Sequence, residues 1–517
     1  MESSVGIQRQ LCIKTFLVSA GLMAAGLSVG SVAGCASSTT AERESSSEQI
    51  RVRTVTREEA LADFDRAWEI VNETHFDTSF NGVDWVAVRD ELRPKASEAM
   101  TRNQVRRVIS EALDRLGQSH FGIIPNEEEA PAQQKNQEHA NEMITSNKGN
   151  GGSVSASGGL SDGASDAGYT EIEAVIPDDS ASDGDGDADT GIDIRIIKGQ
   201  AVVSAIRDQS PAHLAGVRTG WILSKIRSDD VQDGLDRLQE ALGEDEIGIH
   251  AVSMISNRLQ GPEDSSIDLT FIDGNGDEVE RNLARIPMPG EFVKFGNLPP
   301  LSTHLEWSRV SATHESGQKS EIGVIKFNIW MIPIAPKFER AMYELRDVDG
   351  IIIDLRGNPG GVGALAASVG RFLVSEKGSL GTMTMRGAEL QFNIDPVIVT
   401  TWGEPIDPFG GPIAILTDSG SASTSEVFAG GLQSLGRVKV FGTRSAGMAL
   451  PAGMDKLPSG DVLLHAIANF ETSTGYQLEH GGVVPDEEVK LSREDLLKGI
   501  DSPRQAAIEW IKDSTHE

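Results

Sequence analysis

Residues 350–361 read GIIIDLRGNPGG. The apolar run Gly350–Leu355 has the length and composition of a buried strand. It closes in the turn Asp354-Leu355-Arg356-Gly357-Asn358-Pro359-Gly360-Gly361. Glycines after such a strand let the backbone turn tightly and point N–H groups outward. A helical pattern follows over 363–374. The order recurs at 413–417, where an apolar run leads into Asp418-Ser419-Gly420-Ser421-Ala422-Ser423-Thr424-Ser425-Glu426 and a helix over 424–435. Strands are also predicted over 322–327, 438–441 and 462–468, and a helix over 333–345. Residues 305–500 thus alternate strand and helix. That alternation requires crossover connections and predicts a largely parallel sheet covered by helices.

Outward from this core the chain changes character. Residues 501–517 read as a C-terminal tail. Residues 191–285 form a small β-rich unit: a strand at Ala201–Ile206, a short capped helix in Ser210-Pro211-Ala212-His213-Leu214-Ala215-Gly216, and a strand from Gly220 to Ile226. Residues 127–190 are rich in Ser, Gly, Asp and Asn and read as a disordered acidic insertion. Its alternating Asp183, Asp185, Asp187 and Asp189 resemble a calcium loop. The run has no glutamate at the twelfth position and no flanking helices, so it reads as a solvated linker. Residues 56–126 are a helical region. Thr56 with Glu59 and Thr101 with Gln104 form capping boxes, and Leu61, Phe64, Trp68 and Val71 share one face. Residues 36–55 are a polar tether.

The first 35 residues read as a targeting segment. Arg9 and Lys14 precede an apolar stretch over 16–32 that ends in Val32-Ala33-Gly34-Cys35. This resembles a bacterial lipobox, which implies lipidation of Cys35 and a membrane anchor in the cell envelope. Ala36 after the cysteine, in place of Asp, points to an outer membrane or a periplasm-facing position. Cys12 lies in the segment to be removed, so no intramolecular disulfide is expected.

Of the 517 residues 38% are hydrophobic and 24% charged, which suits several soluble domains. The formal charge is −32, with no basic stripe, and this excludes nucleic acid as a partner. No HExxH, GxGxxG or P-loop lysine pattern occurs, and neither cofactor nor metal is expected. Each glycine- or serine-rich junction is common taken alone. A serine between a strand and a helix does sit where ligands bind in open α/β sheets, and where a helix N-terminus favours negative charge.

Taken together and in order, DLRGNPGG (354–361), GSASTSEVFAGGLQ (420–433) and GGVVPDEEV (481–489) resemble the C-terminal processing, or tail-specific, serine peptidases. The β-rich unit resembles a PDZ domain, with Trp221 where an Asp is usual; such a unit binds an extended peptide at a sheet edge. The resemblance covers roughly residues 56–126 and 191–500. It implies a multidomain α/β protein with a ClpP/crotonase-like β-α-β core, an N-terminal helical region and an inserted PDZ-like domain. It makes Ser423 the nucleophile and Ser421 and Ser425 structural. Members with a Ser–Lys dyad carry the lysine in an FGKG-like turn, which here reads Ala446-Gly447-Met448-Ala449. Methionine cannot accept a proton. A second branch resembles the tricorn protease core and takes its base from a Ser-His pair in the helical region.

By that resemblance His120 in LGQSHFGI is the general base, with Ser119 and Glu479 as the supporting polar network. The oxyanion hole falls to N–H groups of Gly360 or Gly361 and of Thr424. His75, His465 and His480 are competing histidines. The implied activity is a serine-type peptidase acting on a protein or peptide that enters as an extended strand. Two other readings stay open: an inactive PDZ-containing peptide binder, and an envelope esterase or amidase.

Overall fold

The structure is a computed structural model and describes residues 54–126, 186–242, 247–294, 300–314 and 317–515. The targeting segment with Cys35, nearly all of the tether, and the acidic insertion up to residue 185 lie outside the described residues. All described residues belong to one compact unit, Val52–Glu517.

The chain opens with helices α1 (Arg57–Thr74), α2 (Trp85–Glu98) and α3 (Arg102–Asp114). Both expected capping boxes are present, Thr56 with Glu59 and Thr101 with Gln104. Helix α2 was not expected from the sequence; Pro94 lies inside it and interrupts the helical pattern. Phe64, Ile70, Leu92, Ile109 and Leu116 pack together and against Leu457 and Leu463 from far along the chain. After α3 comes strand β1 (Gly122–Ile124).

The β-rich unit holds strands β2 (Ile192–Ile197), β3 (Gln200–Ile206), β4 (Ile222–Ile226), β5 (Ser266–Ile272) and β6 (Glu278–Ala284), adjacent in that order. Ser210 caps the short helix α4 (Pro211–Leu214). Helices α5 (Val231–Leu242) and α6 (Ile247–Leu259) follow β4. Ile194, Val203, Leu223, Ile255, Leu269 and Phe271 form the core of this unit.

The main sheet has the order β7 (Leu305–Thr313), β8 (Lys319–Phe327), β9 (Gly350–Asp354), β12 (Ile413–Thr417), β13 (Lys439–Gly442) and β17 (Glu487–Glu488). Only the β7–β8 pair is antiparallel. Along β9, Ile351 and Ile353 face one core while Ile352 faces the other, because side chains alternate across a strand. Helices α7 (Ile334–Glu344), α8 (Ala364–Gly370) and α9 (Thr424–Ser434) cover the first face. Burial on both faces explains why the central strands read as unbroken apolar runs. Between β9 and β12 the hairpin β10 (Gly378–Met385) and β11 (Ala388–Ile394) joins β16 (Ala468–Thr472) in a separate sheet.

Two expectations are corrected. Residues 462–468 do not extend the parallel sheet. Strand β15 (Val462–Ala466) lies between β1 and β14 (Ala452–Lys456) in an antiparallel sheet of three, and so ties the helical region to the core. Asp461, just ahead of β15, receives two hydrogen bonds from Arg106 of α3 at 2.7 and 2.8 Å, and the Asn126 N–H at 2.9 Å. Residues 501–517 are also not a tail. Helix α11 (Ser502–Ser514) buries Ala507, Ile508 and Ile511 on the second face of the main sheet. Apolar burial of this kind stabilises by roughly 1.5–3 kcal/mol for each large side chain. Just before it, α10 (Arg493–Leu496) reaches the β-rich unit: Arg493 donates to Gly220 O and Asp273 O, and Thr219 donates to Leu496 O.

Candidate functional site

Strands β9, β12 and β13 are parallel and neighbouring, so the loops at their C-terminal ends meet. Ser421 Oγ donates to Leu355 O at 2.8 Å, and Ser425 Oγ donates to Asn358 O at 3.0 Å while accepting from Trp330 Nε1 at 2.9 Å. These two serines fasten the loop after β12 to the loop after β9. Asp418 Oδ1 accepts from Gly357 N and Gly420 N, again one from each loop. Gly360, at φ 98°, lies so close that a Cβ there would stand 2.6 Å from Ser423 Cβ.

Ser423 stands at the N-cap of α9 with φ 55° and ψ −116°. A non-glycine residue in that region costs about 1–3 kcal/mol and persists only where its surroundings impose it. Here the Ser423 N–H is shared between Met448 O and Glu426 Oε2, both at 2.9 Å. Beside it, the Gly360 N–H is taken by Asn358 Oδ1 at 3.1 Å. The N–H groups of Gly361 and Thr424 have no acceptor among the described residues. Thr424 is the first residue of α9, where an unsatisfied N–H and the helix dipole both favour an anion.

The second half of the site comes from the turn between α3 and β1 and from the segment before β17. Ser119 N donates to Glu479 Oε1 at 2.9 Å, and Ser119 Oγ donates to Glu479 Oε2 at 2.9 Å. Ser119 Oγ also lies 2.8 Å from His120 Nδ1. A hydroxyl has one hydrogen. Since that hydrogen goes to Glu479, Nδ1 must carry its own hydrogen and donate it to Ser119. The ring is then left with a lone pair on Nε2. Burial pushes the His120 pKa below its ordinary value, against the opposing pull of Glu479. The imidazole is accordingly a neutral base at neutral pH.

The two halves meet on the turn after β13. Met448 O accepts from Ser423 N, and the next N–H, that of Ala449, donates to Glu479 Oε2 at 2.8 Å. Ser423, Ser119, His120 and Glu479 therefore share one connected cluster. Among the described residues no hydrogen bond joins the His120 ring to Ser423.

One further member of the cluster, Glu426, lies in the first turn of α9, where an acid ordinarily serves the helix dipole. Glu426 is fully buried. Its Oε1 accepts from Ser445 Oγ at 2.6 Å and Gly447 N at 2.7 Å, and its Oε2 from Ser423 N at 2.9 Å and Met448 N at 3.0 Å. Burial pushes its pKa up to about 7, against the four donors. The acidic residue of a capping box was the visible signal; its partners across the site were not.

The other histidines are engaged elsewhere. His75 is buried and contacts Gln118 Oε1 and Asp77 O. His465 contacts Asp455 Oδ2 and Thr74 Oγ1. His480 is exposed. Among the described residues no group of three or more His, Cys, Asp or Glu is placed to hold a metal ion.

Residues 321–489 match Peptidase family S41, and residues 56–114 match the Tricorn protease C1 domain. The carboxyl-terminal-processing peptidase 3, chloroplastic, of Arabidopsis thaliana is 25% identical over 308 residues, 58% of this chain and 52% of that protein. The carboxyl-terminal-processing protease of Synechocystis sp. is 25% identical over 288 residues, 54% of this chain and 61% of that protein. The chain thus spans between 52% and 61% of the length of these curated relatives. Among solved structures, mature CPAF complexed with lactacystin is similar with a TM-score of 0.52 at 12% identity, covering 89% of this chain and 98% of that one. The photosystem II D1 C-terminal processing protease gives a TM-score of 0.49 at 21% identity, covering 86% and 98%.

Proposed function

Because residues 321–489 carry a peptidase family S41 domain and residues 56–114 a tricorn protease C1 domain, we propose that this chain is a serine peptidase that cleaves proteins or peptides with Ser423 as nucleophile and His120 as base. The observation that carries this reading is the direction of the Glu479–Ser119–His120 hydrogen bonds, which leaves Nε2 free to accept a proton. Ser423 Oγ attacks the scissile carbonyl as His120 Nε2 takes its hydrogen. The tetrahedral oxyanion rests on the Gly361 and Thr424 N–H groups. His120 then returns the proton to the leaving amine, and water completes hydrolysis of the acyl-enzyme by the same route. Glu479, acting through Ser119, holds the ring in the productive tautomer. Substrate-free sites often hold such contacts loosely, so the last approach of Nε2 to Ser423 Oγ is assigned to substrate binding.

The β-rich unit is read as PDZ-like. Its strand β2 is a sheet edge beside α6, which suits addition of an extended peptide. Arg195 on β2 donates to Asp418 Oδ2 at 2.8 Å and to Arg356 O at 3.0 Å. Gly248 of α6 abuts Ser419. Peptide capture at that edge is therefore felt at the loops that frame Ser423, and the unit gates the site as well as recruiting to it. Acylation at Cys35 would hold the enzyme on a membrane of the cell envelope. Among the described residues no helix is long and apolar enough to cross a membrane.

A fluorophosphonate probe tests the chemistry. Labelling should vanish in Ser423→Ala and fall by about 100-fold or more in His120→Ala. A folded protein that takes up no label would leave peptide binding without hydrolysis. Labelling without cleavage of any peptide in a library would favour an esterase or amidase.

A further inference from the structure

The Glu426 carboxylate is buried beneath the nucleophile and is used by none of the steps above. It accepts from four donors on two segments. One is the backbone of Ser423 itself. The other three, Ser445 Oγ, Gly447 N and Met448 N, belong to the turn after β13. The same turn continues to Ala449, whose N–H is held by Glu479. Two carboxylates thus grip adjacent peptide N–H groups: Glu426 takes Met448 and Glu479 takes Ala449. One of them also holds the nucleophile's backbone, and the other also holds Ser119 beside the base. Alongside them, Met448 O accepts from Ser423 N and Gly447 O accepts from His480 N, so the same turn touches both halves of the site.

We propose that Glu426 is a positioning residue: by clamping the turn of residues 445–448 to the Ser423 N-cap, it fixes how far the nucleophile stands from the Ser119–His120–Glu479 relay. The turn is the position at which related dyad peptidases would carry a lysine. In this chain it serves as a spacer in place of a base, and Met448 contributes through its backbone. The inference rests on the reading of Ser423 and His120 given above.

The geometry has a built-in dependence on the charge of Glu426. As a carboxylate it offers acceptors to all four donors. Once protonated, one oxygen carries a hydrogen that opposes an incoming N–H or O–H, and the clamp loses a contact. The charged or titratable groups on the surrounding segments are Asp418, Arg444, Glu479, His480 and His120. None of them is hydrogen-bonded to Glu426. Arg444 is turned to Gly481 O, so no cation fixes the carboxylate. With its pKa pushed up to about 7, Glu426 loses the clamp as pH falls through neutrality, ahead of protonation of His120.

The test uses the full chain and measures the second-order rate of fluorophosphonate labelling against pH, with KM and kcat on any peptide substrate. Glu426→Gln keeps the volume but replaces one acceptor oxygen by an amide that faces two donors. It should lower the labelling rate and kcat by about 10- to 100-fold, the scale expected when a reacting group is displaced by about 1 Å, with KM within about twofold of wild type. The wild-type rate should fall through a transition near pH 7. The variant should lack that transition and keep only the lower one belonging to His120. Ser445→Ala, which removes one of the four donors to Glu426 along with the acceptor of the Val483 N–H, should give a smaller loss of the same kind and serves if Glu426→Gln does not fold. Unchanged labelling in either folded variant overturns the proposal, as does an acid limb that is the same in wild type and variant. Absence of label on the wild-type protein would instead overturn the underlying reading of Ser423.

Discussion

A hydroxyl placed between a carboxylate and an imidazole transmits orientation only while its hydrogen points toward the carboxylate. Ser119 meets that condition because Glu479 accepts on both oxygens, from Ser119 N, Ser119 Oγ and Ala449 N. Glu479→Gln puts amide hydrogens opposite some of these donors, so Ser119 turns and His120 loses its fixed tautomer. The expected result is a fall in kcat of about 100- to 10,000-fold with KM little changed, measured on a peptide substrate. A drop confined to KM would assign Glu479 to substrate binding. Short motifs surround Ser423, His120 and Glu479 and single them out in the sequence; the structure brings them into one hydrogen-bonded cluster. Two roles were not legible. Gly360 and Gly361 are equivalent in DLRGNPGG, and only the hydrogen bond from Gly360 N to Asn358 Oδ1 separates them. Glu426 reads as an ordinary first-turn acid because three of its four partners lie in a different loop.

Elements whose apolar pattern is local were read correctly, and those defined by distant partners were not. The runs at 322–327, 350–355 and 413–417 carry their own signature, since burial on both faces demands continuous Ile, Val and Leu. Strand β15 has the same composition, yet its neighbours are β1 and β14, and nothing in its own residues names them. Helix α11 presents only a short apolar stripe after a charged segment, and the sheet face that needs it is remote in sequence. The β1–β15 pairing matters because His120 lies just ahead of β1. Asp461, with only 3% of its side chain exposed, pairs with Arg106 and also holds Asn126 N. Removing one member of such a buried pair strands the other, at a cost of roughly 3–5 kcal/mol. Asp461→Ala should therefore lower the melting temperature. It should also reduce labelling of Ser423, although residue 461 touches neither Ser423 nor His120. If stability falls while labelling of the folded protein is unchanged, the pairing does not set the position of the base.

At the scale of the whole molecule, the site sets limits on stability as well as reactivity. Glu426 titrates near 7 in the fold against an ordinary 4.5, a difference worth roughly 3 kcal/mol. The folded state binds this proton more tightly than the unfolded chain. The associated stability is complete below pH 4.5 and is lost as pH rises through about 7. Glu426→Gln has no such proton, so its melting temperature relative to wild type should rise between pH 5 and pH 8. A difference that stays constant across that range would mean the carboxyl titrates at its ordinary value. The backbone at Ser423 makes the same point without any proton. A side chain is held there in a conformation that only glycine accepts readily. With Ser423 as the proposed nucleophile, a chain with glycine in that place would fold at least as comfortably and lose the proposed reaction. On that reading, random drift toward easier folding leads away from function at this position, and only selection for the reaction keeps the serine where it stands.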